Sequence, residues 1–174
     1  MSEKIRVLLP EEELDSRIKE VAEQISKDFE GETVLAVCIL RGAAYFACEL
    51  TKRLTVPVVI DFMTTSSYGA GTVSSGEVKV KREIEIDPAG QNVLIIEDII
   101  DSGNTLNFLK KYFKDKNAKS IKLCTLLDKP DRRVVDVDVD YTGFTIPDQF
   151  VVGYGLDYDQ KYRNLPYIGI VELD

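Results

Sequence analysis

Apolar residues along this chain switch between two periods, and the switches mark out an alternation of helices and strands. Leu14, Ile18, Val21, Ile25 and Phe29 recur at three- and four-residue spacing after Pro10 and the run Glu11-Glu12-Glu13. Proline at a helix start and carboxylates near the positive end of its dipole are both favourable, and Gly31 supplies the stop. A core-facing helix is therefore predicted. Thr33 to Leu40 (TVLAVCIL) is apolar throughout and of strand length, as in a sheet covered on both faces. Arg41-Gly42 makes a turn, Ala43 to Leu54 reads as a helix, and Val56 to Met63 reads as a second apolar strand with Pro57 near its start. Ser66 to Gly76 is rich in Gly and Ser and reads as a loop. In Glu77 to Ile86 the apolar positions Val78, Val80, Ile84 and Ile86 alternate with charges, the mark of a half-exposed strand. Loop and strand together suggest a hairpin lid on the main sheet.

Asp87-Pro88-Ala89-Gly90 is a turn, Val93 to Ile96 a buried strand, and a helix carrying Leu106, Leu109 and Phe113 inward runs to about Asn117. Ser120 to Leu127 is another buried strand, and Val134 to Asp174 breaks into short strand-like pieces and turns. The alternation predicts an α/β fold with a central, mostly parallel sheet flanked by helices. Ligands in such sheets bind beyond the carboxyl ends of the strands. Arg41-Gly42, Glu97 to Thr105, Lys129 and the loop after Phe150 can all lie at that edge. With 174 residues and neither repeats nor low-complexity linkers, residues 1–174 are expected to form one domain.

Composition narrows the chemistry. A net charge of −8 argues against nucleic acid as the main partner. It does not preclude an anionic small molecule, because local N–H groups and a metal ion can override the overall sign. Histidine is absent, which excludes Ser-His-Asp and Cys-His catalysis and every His-ligated metal site. Acid–base work falls to Asp, Glu, Lys or Tyr. Cys38, Cys48 and Cys124 lie in apolar stretches without CxxC spacing and read as buried thiols in a reducing compartment. No stretch reads as a signal or a membrane span, so a cytoplasmic location is expected.

The chemistry concentrates in Val93 to Leu106, VLIIEDIIDSGNTL. An apolar run ends in Glu97 and Asp98, two more apolar residues follow, and Asp101-Ser102-Gly103-Asn104-Thr105 opens a helix. Such a turn aims backbone N–H groups at the helix N-terminus, where a phosphate can be held. Carboxylates at the end of a buried strand are costly unless sugar hydroxyls or a metal ion use them. An ordinary βα turn capped by Asp101 or Ser102 would leave Glu97 and Asp98 unexplained. Neither GxxxxGK[ST] nor GxGxxG after a strand is present, so a P-loop or dinucleotide site is unsupported.

This segment resembles the phosphoribosyl-diphosphate motif of the type I phosphoribosyltransferases, and EDIIDSGNT is most similar to the hypoxanthine-guanine branch. The resemblance extends over nearly the whole chain after the first helix. It implies that fold, with a small hood from the N- and C-terminal segments and a flexible lid at about residues 66–76, headed by Ser67 and Tyr68. CILRGAAYF resembles the family's pyrophosphate loop, so Arg41 and Gly42 would contact the leaving pyrophosphate across a cis bond between Leu40 and Arg41. The donor 5-phospho-α-D-ribose 1-diphosphate (PRPP) would be held by Glu97 and Asp98 at the ribose hydroxyls and by Ser102, Gly103, Asn104 and Thr105 at the 5-phosphate. Asp101 is expected to be the acid–base residue at purine N7.

By the same resemblance Lys129, in LLDKP, would donate to the purine 6-oxo group. In IPDQFVVGYGLDYDQKYRNLPYIG, Phe150 would stack on the base, Val151 would read its edge through the backbone, and Arg163 would hold pyrophosphate. Asp157 would bind metal and the region near the purine amino group. Residue type alone would make Arg41 a solvated turn residue, Lys129 a surface residue, Phe150 core and Asp157 a solvated acid. The implied reaction is Mg2+-dependent transfer of phosphoribose to hypoxanthine, and guanine, giving IMP or GMP, in a homodimer or homotetramer. The magnesium ligands would be Glu97, Asp98 and Asp157. Alternatives are a PRPP-sensing regulatory protein, or a transferase for xanthine or another nucleobase.

Overall fold

The computed structural model describes residues 3–67 and 77–173. Its main sheet joins β2 (Val34–Leu40), β3 (Val58–Ser67), β4 (Val78–Arg82), β5 (Asn92–Ile100), β6 (Ser120–Asp128) and β7 (Tyr141–Thr145) in the order β4-β3-β2-β5-β6-β7. All neighbours are parallel except the β3–β4 pair at the edge. The helices are α1 (Glu11–Asp28), α2 (Ala44–Lys52) and α3 (Asn104–Asp115).

Strand alternation feeds two cores. Val34, Ala36, Cys38, Leu94 and Ile96 face a layer that includes Leu14, Ile18 and Ile25 of α1 and Phe46 and Leu50 of α2. Leu35, Val37, Val93 and Ile95 face Leu106, Leu109 and Phe113 of α3. Burial on both sides explains why these strands read as unbroken apolar runs. From β2 the chain steps one way to β3, then returns to build β5, β6 and β7 on the other side. The direction of winding therefore reverses between β2 and β5, which opens a crevice beyond their carboxyl ends.

Three expectations are corrected. The strand expected over Glu77 to Ile86 stops at Arg82, because Asp61 captures the chain beyond it. Asp61, buried on β3, accepts Glu85 N–H (2.8 Å) and Ile86 N–H (2.9 Å) with Oδ2, and Phe62 N–H (2.7 Å) with Oδ1. Ile84 and Ile86 still pack on the α3-side core. The strand expected to end at Ile96 continues to Ile100, with Glu97 opposite Thr125 and Ile99 opposite Leu127, so pairing to β6 overrides the poor strand preference of adjacent acids. Cys48 is exposed, because α2 turns Phe46, Ala47, Leu50 and Thr51 inward and leaves Cys48 outside.

Asp61→Ala leaves three main-chain donors without their acceptor. It should lower unfolding stability by about 2–3 kcal/mol or more, the scale for buried hydrogen bonds to a charged group. Urea denaturation measures this, and a loss below about 0.5 kcal/mol, the range of a neutral surface change, would refute the role.

A second, small sheet has the order β1-β9-β8, from β1 (Glu3–Leu9), β8 (Val151–Val152) and β9 (Ile168–Leu173). It packs on the α1–α2 core through Val151, Ile168 and Ile170, with Tyr154 following β8 into the same core. β1 was not expected, although Ile5, Val7 and Leu9 alternate along it. Of the lid expected at 66–76, Ser66 and Ser67 belong to β3, paired with Lys79 and Val78. Tyr68 to Gly76 lie outside the described residues. Among the described residues no helix is long and apolar enough to cross a membrane.

Candidate active site

A cavity of about 330 Å3 lies at the crevice between β2 and β5, lined by Leu40 and Gly42 of the turn after β2, Glu97 to Leu106, and Thr65 and Val78 of the hairpin. Its walls come from ends of parallel strands, so the main chain is rigid where the side chains converge. The Leu40–Arg41 peptide is cis, as the resemblance implied. Gly42 is required by proximity: a Cβ there would lie 1.7 Å from Asp98 Oδ2. Residue 155 in turn packs against Gly42, since a Cβ on Gly155 would lie 1.9 Å from Gly42 O.

Glu97 is buried and Asp98 half-buried at the floor. Burial and the facing Asp98 carboxyl push the Glu97 carboxyl well above the ordinary carboxylate range. Burial also pushes Asp98 up, opposed by the bond it accepts from Ile99 N–H (2.8 Å) and, from farther off, by the Arg163 charge. The pair titrates as one unit that retains a proton beyond the usual range. Neither carboxyl makes an ion pair among the described residues. An oxygen-only pair without an ion-pair partner, Arg163 acting only from farther off, fits a hard divalent cation such as magnesium, which takes one or two carboxylates and completes its shell with substrate oxygens and water.

The turn at 101–105 forms the opposite wall. Gly103 is left-handed (φ +87°) and a Cβ there would meet Val135 O at 2.7 Å, so glycine is obligatory. Ser102 Oγ accepts from Asn104 N–H (3.3 Å), and the first bond along the helix runs from Asn107 N–H to Gly103 O (3.0 Å). The N–H groups of the first turn therefore have no partner within the helix. The first turn of α1 carries Glu11, Glu12 and Glu13, whereas that of α3 carries no acid. The positive end of α3 is thus left for an external anion. The turn is clamped from behind: Ser102 O accepts Val134 N–H (2.9 Å) and Val135 N–H (3.0 Å), and Arg133 Nε donates to Asp101 O (3.3 Å). Arg133 also pairs with Asp128. Sequence reasoning missed this clamp, since nothing in RRVVD distinguishes it from surface.

The remaining candidates do not line this cavity; Lys129 reaches it through Asp101, and the Arg163 charge acts on it through Asp98. Lys129 follows β6 and is buried, contrary to its residue type, with Nζ 4.0 Å from a carboxylate oxygen of both Asp101 and Asp148. Asp148 was missed, and its pairing with Lys129 and with Arg132 (3.5 Å) is a tertiary fact. Phe150 is 54% exposed rather than core, with its ring edge-on to Tyr158 (5.6 Å, 82°). Phe150 O accepts Val171 N–H (3.1 Å), so the antiparallel alternation turns the main-chain groups of Val151 away from β9, toward the open edge of β8. Arg41 is exposed and bonds Gln160 (3.0 Å), and Arg163 bonds Gly155 O (2.7 Å), Gln160 (3.0 Å) and Asp157 (3.1 Å). Asp157 also accepts Gln160 N–H (2.9 Å). Asp157 is thus engaged by Arg163. No three His, Cys, Asp or Glu side chains converge into a metal cluster among the described residues, so Glu97, Asp98 and Asp157 do not form one here.

Comparison with known proteins bears on the family and the fold. Residues 8–159 match the model of the phosphoribosyl transferase domain. The chain is 47% identical over 167 residues to a hypoxanthine-guanine phosphoribosyltransferase of Streptococcus thermophilus, covering 96% of this chain and 93% of that protein. It is 48% identical to the enzyme of the same name from Bacillus subtilis, with the same coverage. The fold superposes with a TM-score of 0.93 on a crystal structure of a hypoxanthine-guanine phosphoribosyltransferase from Bacillus anthracis, at 46% identity, covering 99% of this chain and all of that one.

Proposed function

The chain belongs to the phosphoribosyltransferase family, and on that premise we propose that it is a purine-salvage enzyme. It transfers phosphoribose from PRPP to hypoxanthine and guanine, releasing pyrophosphate. One observation carries the reading: a buried acid pair and an uncompensated helix N-terminus face each other across a single cavity at the sheet's switch point.

In this reading the N–H groups and side chains of Ser102 to Thr105 hold the 5-phosphate and fix the register of the sugar. Glu97 and Asp98 hold the ribose hydroxyls and keep negative charge beside a carbon that turns cationic as pyrophosphate leaves. Magnesium, held by Glu97 and Asp98, would neutralise the diphosphate. Arg41, Gly42 and Arg163 receive pyrophosphate, the arginines offering planar forks to its oxygens.

The base enters beside Phe150, whose exposed ring is available for stacking, and its edge meets the main chain of Val151. Lys129, confined between two carboxylates, donates to the 6-oxo group. Adenine presents an amino donor there and is rejected. Asp101, on the same side as Lys129, exchanges the proton at purine N7. Free cysteines at Cys38, Cys48 and Cys124 suit a reducing cytoplasm. We further propose a homodimer or homotetramer, for which exposed Tyr45, Val59 and Ile60 supply apolar surface.

The test is a spectrophotometric assay with PRPP, magnesium and each of hypoxanthine, guanine, xanthine, adenine and uracil. Turnover is expected with hypoxanthine and guanine. Adenine should be at least about 10²-fold poorer, because a site built for one hydrogen-bonding pattern penalises its opposite. Turnover favouring adenine or uracil would overturn the assignment. No turnover with any base, together with tight PRPP binding, would point to a regulatory sensor.

A further inference from the structure

Gln160 belongs to no expected set of site residues, yet it stands where two cationic groups meet. Its side-chain oxygen accepts from Arg41 Nη1 (3.0 Å) and from Arg163 Nη2 (3.0 Å) at once. Arg41 sits on the turn after β2, and Arg163 lies far along the C-terminal segment. The amide thus bridges two parts of the fold that approach each other at the cavity mouth.

The backbone holds this amide in place. Gln160 is left-handed (φ +64°), as are Asp159 (+49°) and Tyr162 (+74°), a run that L-residues rarely adopt and that persists where surroundings enforce it. Gln160 N–H donates to Asp157 Oδ2 (2.9 Å), and Gly155 N–H donates to Arg163 O (2.8 Å).

The chemistry of the bridge matters as much as its geometry. Two guanidinium groups sharing one acceptor lie close together, and like charges at that range repel. A carboxylate bridge would neutralise them and compete with an incoming anion. A neutral amide holds the pair without adding negative charge; Asp157 already pairs with Arg163 (3.1 Å), while Arg41 makes no ion pair among the described residues. Each guanidinium has five N–H donors, of which Arg41 spends one on the amide, so its fork remains open to phosphate oxygens.

We propose that Gln160 is a positioning residue for the diphosphate, holding Arg41 and Arg163 side by side at the cavity mouth. The proposal rests on the reading above that these arginines receive pyrophosphate. Preorganisation spares the donor the entropy of ordering two long side chains.

Gln160→Asn tests it, since asparagine tolerates the left-handed conformation but is one methylene too short to bridge. It should raise the PRPP KM and the pyrophosphate inhibition constant about tenfold, the scale for a hydrogen bond to a charged group. Hypoxanthine KM and kcat should stay within about twofold, the pattern of lost donor binding alone. In an Arg41→Ala background the same substitution should have little further effect, because residues acting through one another are not additive. Gln160→Glu keeps the length and both bonds, so it guards against misfolding. It should also weaken pyrophosphate binding, by supplying a counter-charge.

An unchanged PRPP KM in Gln160→Asn, a parallel rise in hypoxanthine KM, or equal effects in both backgrounds would overturn the proposal. So would unchanged or tighter pyrophosphate binding in Gln160→Glu. If Arg41→Ala itself leaves PRPP and pyrophosphate binding untouched, the assignment of the arginines fails and takes this inference with it. If Arg41→Ala weakens both and Gln160→Asn does not, only the inference fails.

Discussion

Asp101→Asn should lower turnover by about 10²-fold or more, the contribution of a placed general acid–base group, while PRPP affinity changes little. The substitution is clean. The bond from Arg133 goes to the main-chain oxygen of Asp101, so the clamp behind the phosphate turn survives. The Asp101 side chain is half exposed at the cavity mouth, and its buried partner Lys129 keeps the carboxylate of Asp148. Asparagine retains shape and hydrogen-bonding capacity but loses the negative charge facing Lys129 and the ability to take up and return a proton. With no histidine in the chain, the alternatives are few: Lys129 is occupied with two acids, and Glu97 and Asp98 lie on the sugar side. Single-turnover kinetics are the right measurement, since product release can mask a chemical defect. A rate within about threefold of wild type removes Asp101 from the role.

Glu97→Gln should move stability and activity in opposite directions. The folded chain keeps a proton on the Glu97–Asp98 pair at pH values where the unfolded chain has released it. The native state therefore binds more protons, and unfolding free energy falls as pH rises from the ordinary carboxylate range toward the raised folded value. Glutamine removes that penalty. Tm at pH 7.5 should rise by roughly 2–4 °C for each kcal/mol gained in a chain of this size, and the gap between variant and wild type should narrow as pH falls through and below the ordinary carboxylate range, where the proton is held in both states. PRPP affinity in magnesium should meanwhile fall about 10–100-fold, the scale for losing a group that supports a metal site. Calorimetric unfolding across pH, with PRPP titration on the same samples, gives both numbers. A variant that is less stable at every pH would show that the pair is not held against its own charge. Affinity within about twofold of wild type would remove Glu97 from the donor site.

The same proton gives a binding signature. If the pair must ionise to hold the metal and donor, their binding releases protons, and PRPP affinity increases with pH through the range in which the pair titrates.

Much of the architecture could be read from periodicity, because strands buried on both faces leave unbroken apolar runs and α1 and α3 each show one clear stripe. The turn at 101–105 could be read for a different reason: Gly103 and the small polar residues around it are dictated by backbone geometry, which sequence records directly. The failures share a cause. Arg82 ends β4 only because Asp61 waits across the sheet for Glu85 and Ile86. Lys129 is buried only because Asp101 and Asp148 arrive from other elements. β1 finds its partner at the far end of the chain. Gln160 meets Arg41 across 119 residues, through a left-handed run without the glycine that would have announced it. Contacts of that kind leave no local pattern. Phe150 and Asp157 needed the family resemblance, since their residue types alone point to core and to solvent.

The most direct test of the central claim is a crystal structure determined with PRPP and magnesium. The 5-phosphate should lie on the N–H groups of Ser102 to Thr105, with the ribose hydroxyls and the metal at Glu97 and Asp98 and the diphosphate turned toward Arg41 and Arg163. Donor bound elsewhere, or the acid pair facing away from the sugar, would contradict it.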